Sequence, residues 1–333
     1  MELNKIFTSH MVFAAKKPIR IYGTGKGTAK ITFAAYEKTV LSENDNWFIE
    51  FEPMEYGGPY KLEAEFPDRK ITLEDIYVGE VFLFAGQSNM QFKMKESSTP
   101  EEEYRANSRL RLFSTDRIEK TDKFTSDDGW VVCDEKDIGD WSAIAYHTSY
   151  EVLMEKDVAI GVVVSYQGAS VIESWVPEGT FEKYGINLPV EEKFVDHTCE
   201  EYSKWNGDGV LYNYSLSQVI PYALSAVVWY QGESDSSVAE GEVYCEELCG
   251  LIDRWRSDFC DASLLFVIVQ LADTYHKMTD GWKLIQKAQQ EIVNRRPLVK
   301  IAASADLCET NNIHPPTKDK LAKRIAGILN AEL

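Results

Sequence analysis

Val81-Phe82-Leu83-Phe84-Ala85-Gly86-Gln87-Ser88-Asn89-Met90 decides how this chain folds. Its first half is an unbroken apolar run, which reads as a strand buried on both faces, the habit of a parallel sheet. Its second half then falls at the carboxyl end of a central strand. In open α/β sheets that edge is where ligands bind. Gly86 lets the backbone bend, and Ser88, set between two amide side chains, has the surroundings a nucleophile turn requires.

The same alternation extends from residue 76 onward. Strand-like apolar runs are Val81–Ala85, Val158–Val164, Ala226–Tyr230, Leu264–Leu271 and Val299–Ala303. Helix-like stretches lie between or after them: Ser142–Glu155, Leu211–Leu224, Glu240–Arg256, Trp282–Asn294 and Thr317–Leu329. Five strands with intervening helices predict an α/β fold, a five-stranded parallel sheet covered by helices on both faces. Residues 93–141 are polar and read as a long excursion over the active edge. Residues 1–75 differ. Ile19–Tyr22, Ala29–Phe33, Trp47–Phe51 and Tyr60–Ala64 are short β-rich pieces separated by turn signals such as Gly57-Gly58-Pro59. They predict a small N-terminal all-β sandwich, with the boundary at 75/76, that packs on the remainder and shapes its rim.

The 333 residues carry a formal charge of −19, which argues against nucleic acid or an anionic membrane surface as partners. A neutral or weakly charged ligand suits such a chain. No run approaches the length of a membrane span, and the first residues, Met1-Glu2-Leu3-Asn4-Lys5-Ile6-Phe7, lack a leader-like apolar core. Cys133, Cys199, Cys245, Cys249, Cys260 and Cys308 contain no C-x-x-C pair and read as reduced thiols. The expectation is a cytoplasmic protein.

The loops at the strand ends carry the chemistry. After the first run comes Gln87-Ser88-Asn89; after the second, Gln167-Gly168-Ala169-Ser170; after the third, Gln231-Gly232-Glu233-Ser234-Asp235; after the fifth, Asp306 and then His314. Four polar loops thus converge on one edge of the sheet. Ser88 needs a base to remove its proton, and His314 is placed to take it and later return it to a leaving alcohol. The imidazole in turn needs an acceptor, for which Glu233 and Asp306 are the two candidates. Donors for an oxyanion are the amides of Ser88 and Gly168 and the side chain of Gln231. His147, in Ile144-Ala145-Tyr146-His147, reads as a structural histidine, and Trp175 and Trp229 read as packing residues rather than sugar platforms. His10, His197 and His276 show no ligand spacing, so no metal site and no cofactor are expected.

Taken together, Gly86-Gln87-Ser88-Asn89-Met90, Trp229-Tyr230-Gln231-Gly232-Glu233-Ser234 and Asn312-Ile313-His314-Pro315 resemble the sialate O-acetylesterase family of SGNH-type (GDSL-like) carbohydrate esterases. The resemblance covers nearly the whole chain. It implies an α/β/α sandwich and a metal-independent serine esterase that removes O-acetyl groups from sugars, sialic acids or xylan fragments among them. Ser88 and His314 carry over as nucleophile and base, and Gly168 and Gln231 as oxyanion residues. Many SGNH hydrolases place an Asp three residues before the His. Here that position is Asn311, which leaves Glu233 as the acid and Asp306 as the second choice. Asp235 also departs from the family's usual Asn, and Gln286-Lys287-Ala288-Gln289 from its usual Arg-Glu-Ala-Gln. Two other functions compete with this one: a carbohydrate-binding protein with a decayed esterase site, and a lipase or thioesterase of the same fold.

Overall fold

The computed structural model describes residues 1–119, 122–275 and 278–333. His276, one of the histidines without ligand spacing, lies outside the described residues. The strands are β1 (Glu2–Leu3), β2 (Val12–Ala14), β3 (Ile19–Thr24), β4 (Gly27–Phe33), β5 (Tyr36–Ser42), β6 (Asn46–Phe51), β7 (Gly57–Glu65), β8 (Lys70–Gly86), β9 (Asn107–Ser114), β10 (Val131–Cys133), β11 (Ile160–Tyr166), β12 (Ala226–Tyr230), β13 (Leu265–Val269) and β14 (Val299–Ala302). The α-helices are α1 (Ser88–Gln91), α2 (Glu135–Ile138), α3 (Ala143–Lys156), α4 (Val210–Tyr214), α5 (Val238–Asp258), α6 (Asp280–Arg295) and α7 (Asp319–Glu332).

The central sheet runs β10-β9-β11-β8-β12-β13-β14. Six of these strands are mutually parallel, and β10 adds an antiparallel edge. The sheet is therefore mixed, and it holds one more parallel strand than the five expected. The missed strand is β9, in the stretch read as a polar excursion. Its Ser108-Arg109-Leu110-Arg111-Leu112 alternation looks solvent-facing, yet Arg111 is 1% exposed. Its guanidinium donates to Ser108 O at 3.0 Å and His10 O at 3.1 Å, lies 3.0 Å from Asp75 Oδ2 and stacks over the Tyr77 ring at 4.4 Å. A planar fork with this many acceptors can be buried where an isolated charge cannot.

β11, β12 and β13 are buried along their whole length, so both faces of the sheet are covered. The paired helices α3 with α7 and α5 with α6 supply the cover. α5 starts on a reciprocal cap: the Ser237 hydroxyl accepts from Glu240 N at 3.1 Å, and the Glu240 carboxylate accepts from Ser237 N at 3.2 Å. Trp175, Trp229 and Trp255 form an edge-to-face chain inside, with centroids 5.9 and 5.5 Å apart. The helix expected over Leu211–Leu224 stops at Tyr214, apart from one 3₁₀ turn at Leu216–Gln218. Pro221 lies in its second half, and proline cannot continue a helix interior.

Among regular elements, residues 2–65 form only strands. β1, β3 and β6 make one antiparallel sheet, while β5, β4, β7 and the first half of β8 make another. The four β-rich pieces read from the sequence lie within β3, β4, β6 and β7. β8 then continues without a break into the middle of the parallel sheet, so the expected boundary at 75/76 falls inside a strand.

The N-terminal layers dock at the amino-terminal edge of the parallel strands. Ala15 N donates to Gly79 O at 2.7 Å, and Arg20 reaches Phe259 O at 2.8 Å in the turn before β13. Tyr222, ahead of β12, donates to Val12 O at 2.7 Å and stacks on Phe13 at 5.6 Å. From Gly79 to Gly86 the strand advances about 23 Å. These contacts therefore lie at the far edge from Ser88, not at the rim of the site as expected.

Candidate active site

β8 ends at Gly86, whose φ is +142°. A Cβ there would lie 2.1 Å from Tyr230 O, so only glycine fits between β8 and β12 as the chain turns. Gln87 then stitches two strand-end loops together. Its Oε1 accepts from Gly232 N and Ser234 N at 3.3 and 3.4 Å, and its Nε2 donates to Ser234 Oγ at 3.3 Å. The second loop is tied in by Gln167 N, which donates to Gly86 O at 3.1 Å.

Ser88 opens α1 and is half-buried. Its Oγ lies 2.8 Å from His314 Nε2, the contact a serine nucleophile and its base require. The His314 loop is held from two sides. His314 N donates to Asn312 Oδ1 at 2.9 Å, and Ile313 O accepts from Asn89 Nδ2 at 2.9 Å. The Phe92 ring centroid lies 6.4 Å from that of His314.

Asn89 is the hub of this arrangement. Besides Ile313 O, its Nδ2 donates to Glu233 Oε1 at 2.6 Å, and its Oδ1 accepts from Lys318 Nζ at 2.6 Å. Lys318 is fully buried, and burial lowers its pKa from 10.5 to about 8. Asn89 belongs to the motif that marks the Ser88 turn, whereas Lys318 escapes the sequence pattern. A lysine four residues after His314, at the head of an amphipathic helix, looks like a solvated residue, and nothing in the local pattern marks it as buried.

The other expected residues divide. Glu233 lies in the loop after β12 and lines the same pocket as Ser88 and His314. Asp306 does not join them. Both its oxygens are held by Arg324, at 2.7 and 2.8 Å, and that guanidinium draws the Asp306 pKa down to about 2. A carboxylate engaged in this way on an exposed face is not the partner of His314. Gln231 is also placed elsewhere: its side chain is fully buried and does not line the pocket. Its Nε2 donates to Ser170 O at 2.9 Å and to the Asp235 carboxylate, and its Oε1 accepts from Tyr244 OH at 2.6 Å. With both donors committed inside, Gln231 is a brace between loops and not an oxyanion donor. Gly168 does face the site, and a Cβ on it would lie 3.8 Å from Ser88 Cβ. Its amide donates to Gln91 Oε1 at 3.0 Å, a pocket residue that the sequence did not single out.

His147 Nε2 lies 3.0 Å from Thr99 Oγ1, and burial lowers its pKa to about 4, in keeping with a neutral structural imidazole. Trp175 and Trp229 are fully buried, as read. The pocket over Ser88 has a volume of about 390 Å³. Its far wall includes Arg117, Tyr202 and Trp205. The last two come from a stretch without periodicity that the sequence reading did not assign.

Comparison with known proteins gives the family of the chain. A family model described as "Carbohydrate esterase, sialic acid-specific acetylesterase" matches residues 78–329. Human sialate O-acetylesterase is 26% identical over 345 residues, which cover 91% of this chain and 65% of the human protein. The mouse sialate O-acetylesterase is 24% identical, with 91% and 68% covered. The chain thus spans just under two thirds of the human relative. Among solved structures, a carbohydrate acetylesterase from Xanthomonas citri superposes with a TM-score of 0.84 at 24% identity, over 98% of this chain and 73% of that one. From the Ser88 strand to the last helix, this chain belongs to the sialic acid-specific acetylesterase family of carbohydrate esterases.

Proposed function

We propose that the protein is a carbohydrate O-acetylesterase, working through an acetyl-serine intermediate. The observation that carries this reading is the 2.8 Å contact between Ser88 Oγ and His314 Nε2 at the floor of an open pocket. His314 takes the Ser88 proton as Oγ attacks the acetyl carbonyl. The resulting oxyanion is met by the amides of Ser88 and Gly168, each such donor contributing on the order of 10²–10³ in rate. Gln91 Oε1 now occupies the Gly168 amide, so Gln91 gives way as the oxyanion forms. His314 then protonates the sugar oxygen as the carbon–oxygen bond breaks. Water activated by the same imidazole attacks the acetyl-serine, releases acetate and restores Ser88. Glu233 is the acid of the site. Through Asn89 it fixes both the Ser88 turn and the carbonyl next to His314, and its charge favours the imidazolium.

On the same reading, the sheet and its two helix pairs are an SGNH-type α/β/α sandwich covering residues 76–333, with residues 1–75 as an accessory all-β domain. The substrate is an acetylated sugar of the sialic acid or xylo-oligosaccharide type. Nucleic acid and membranes are not partners, and the protein acts in the cytoplasm. Among the described residues no helix is long and apolar enough to cross a membrane.

The test is ester selectivity. Acetate release is measured from an O-acetylated sialic acid and from an acetylated xylo-oligosaccharide, and aryl acetate is compared with aryl octanoate. Faster turnover of one sugar and a steep preference for acetyl are expected. Preference for octanoyl would establish the lipase or thioesterase alternative. Sugar binding without hydrolysis would establish the decayed-site alternative.

A further inference from the structure

Behind the loops that carry Glu233 and Gly168 lies a second polar cluster that the esterase chemistry does not use. One ligand atom each from Glu173, His197 and Asp235 falls within a mutual distance of 4.8 Å. Their side chains come from three separate segments: the turn after β11, the irregular stretch 187–206, and the turn after β12. Glu240 joins them from α5, its Oε1 paired with His197 Nε2 at 2.6 Å.

Glu173 and Glu240 are each held by one oxygen, and Asp235 by both. Glu173 Oε1 accepts from Lys193 Nζ at 2.7 Å, while its Oε2, 3.8 Å from His197 Nε2, has no hydrogen-bond partner. Glu240 Oε2 accepts from Phe194 N at 2.8 Å and Ser237 N at 3.2 Å, which turns Oε1 toward His197. Asp235 is oriented by Ile172 N, 3.0 Å from its Oδ1, and by Gln231. Two turns along α5 from Glu240, Glu247 is 2% exposed, and its buried Oε2 has no hydrogen-bond partner. It opens with Glu173 and Lys193 onto a cavity of about 100 Å³. Four buried carboxylates thus face one lysine and one histidine. Buried charge is costly unless it is paired or coordinated.

We propose that this cluster is a structural site for a divalent transition cation, with Zn²⁺ the best fit. His197 Nε2, Glu173 Oε2 and an Asp235 oxygen would be its ligands, with Glu240 beside His197. One imidazole with carboxylates suits Zn²⁺ or Mn²⁺, while Ca²⁺ and Mg²⁺ favour all-oxygen sets. Gln231, Ile172 N, Lys193 and Ser237 N are the outer groups that hold the ligands in place, which gives the displaced Gln231 a purpose. The ion would pin the segment bearing Tyr202 and Trp205 to the strand-end loops, and so fix the far wall of the substrate pocket. The site does not depend on the esterase reading.

The experiment is a calorimetric titration of the chelator-stripped 333-residue protein with ZnCl₂, MnCl₂, CaCl₂ and MgCl₂, with thermal melts alongside. The expected result is one saturable Zn²⁺ per chain, with a rise in Tm and little response to Ca²⁺ or Mg²⁺. His197→Ala should weaken Zn²⁺ binding on the order of 100-fold or more, and His314→Ala should leave it unchanged. Glu173→Gln, which keeps the shape of the side chain but removes a ligand charge, serves if His197→Ala does not fold, and should lower the affinity. No saturable binding by the stripped wild type would overturn the proposal. So would equal affinity in His197→Ala, or loss of binding in His314→Ala.

Discussion

The two edges of the parallel sheet are built from the same six strands and do opposite things. At the amino-terminal edge, aromatic rings and short backbone contacts seal the sheet against the N-terminal layers: Tyr222 on Phe13, Trp130 Nε1 on Ile6 O at 2.8 Å, Arg20 on Phe259 O. At the carboxyl-terminal edge, polar side chains from separate loops hold one another, and a pocket stays open above them. Parallel strands point all their carboxyl ends the same way, so residues far apart in sequence meet there. The opposite edge carries no comparable demand and can be closed with apolar packing. Stability and chemistry are thereby assigned to different ends of one sheet.

The largest effect expected from this division is functional and local. Ser88→Ala should lower kcat/KM by about 10³-fold or more and leave the thermal melt within a degree or so of wild type. At the other edge, Tyr222→Ala should do the reverse. Removing a fully buried ring costs about 3–5 kcal/mol in denaturant unfolding, while the kcat of the folded fraction stays near wild type. If Tyr222→Ala changed kcat with stability intact, the separation of the two edges would be wrong.

Gly86→Ala breaks both edges' logic at once. Its Cβ meets Tyr230 O, so the β8–β12 contact must open; circular dichroism melts should show destabilisation and the assay a loss of activity together. Lys318 offers a subtler probe. Its folded pKa of about 8 lies below its ordinary 10.5, so between these values the unfolded chain binds more protons than the folded one. The penalty of burying the ammonium is therefore complete below about pH 8, and stability gains from this group as pH rises toward 10.5. Lys318→Met should flatten that part of the stability–pH curve and reduce kcat by loosening Asn89. Smallest of all is Asp306→Asn, which removes an exposed pair with Arg324. It should change activity less than about twofold, whereas Glu233→Gln should lower kcat by an order of magnitude or more. The reverse ranking of these two would return Asp306 to the site.

Much of this was legible in the sequence because parallel strands announce themselves as apolar runs, and because the residues after such runs must share an edge. Val81–Ala85, Ala226–Tyr230 and Val299–Ala303 are read this way, and Ser88 meets His314 where their loops predict. What escaped was side-chain burial that runs against residue type. Arg111 hides a strand inside a polar stretch, because its charge is met by backbone oxygens that no local pattern reveals. Lys318 and Gln231 look like surface and site residues, respectively, yet both are buried braces. Asp306 sat in a strand-end loop as expected, but Arg324, a helix turn into α7, captures it. Spacing can place a residue on an edge. Which neighbour satisfies it depends on contacts between segments far apart in the chain.

The central claim is that Ser88, activated by His314, cleaves an acetyl ester. The most direct test measures acetate release from an O-acetylated sugar by wild type, Ser88→Ala and His314→Ala at equal folded concentration. Wild type should release acetate, and both variants should fall to near-background rates. Release undiminished in Ser88→Ala, or none from a folded wild type on any acetylated sugar, would contradict that claim.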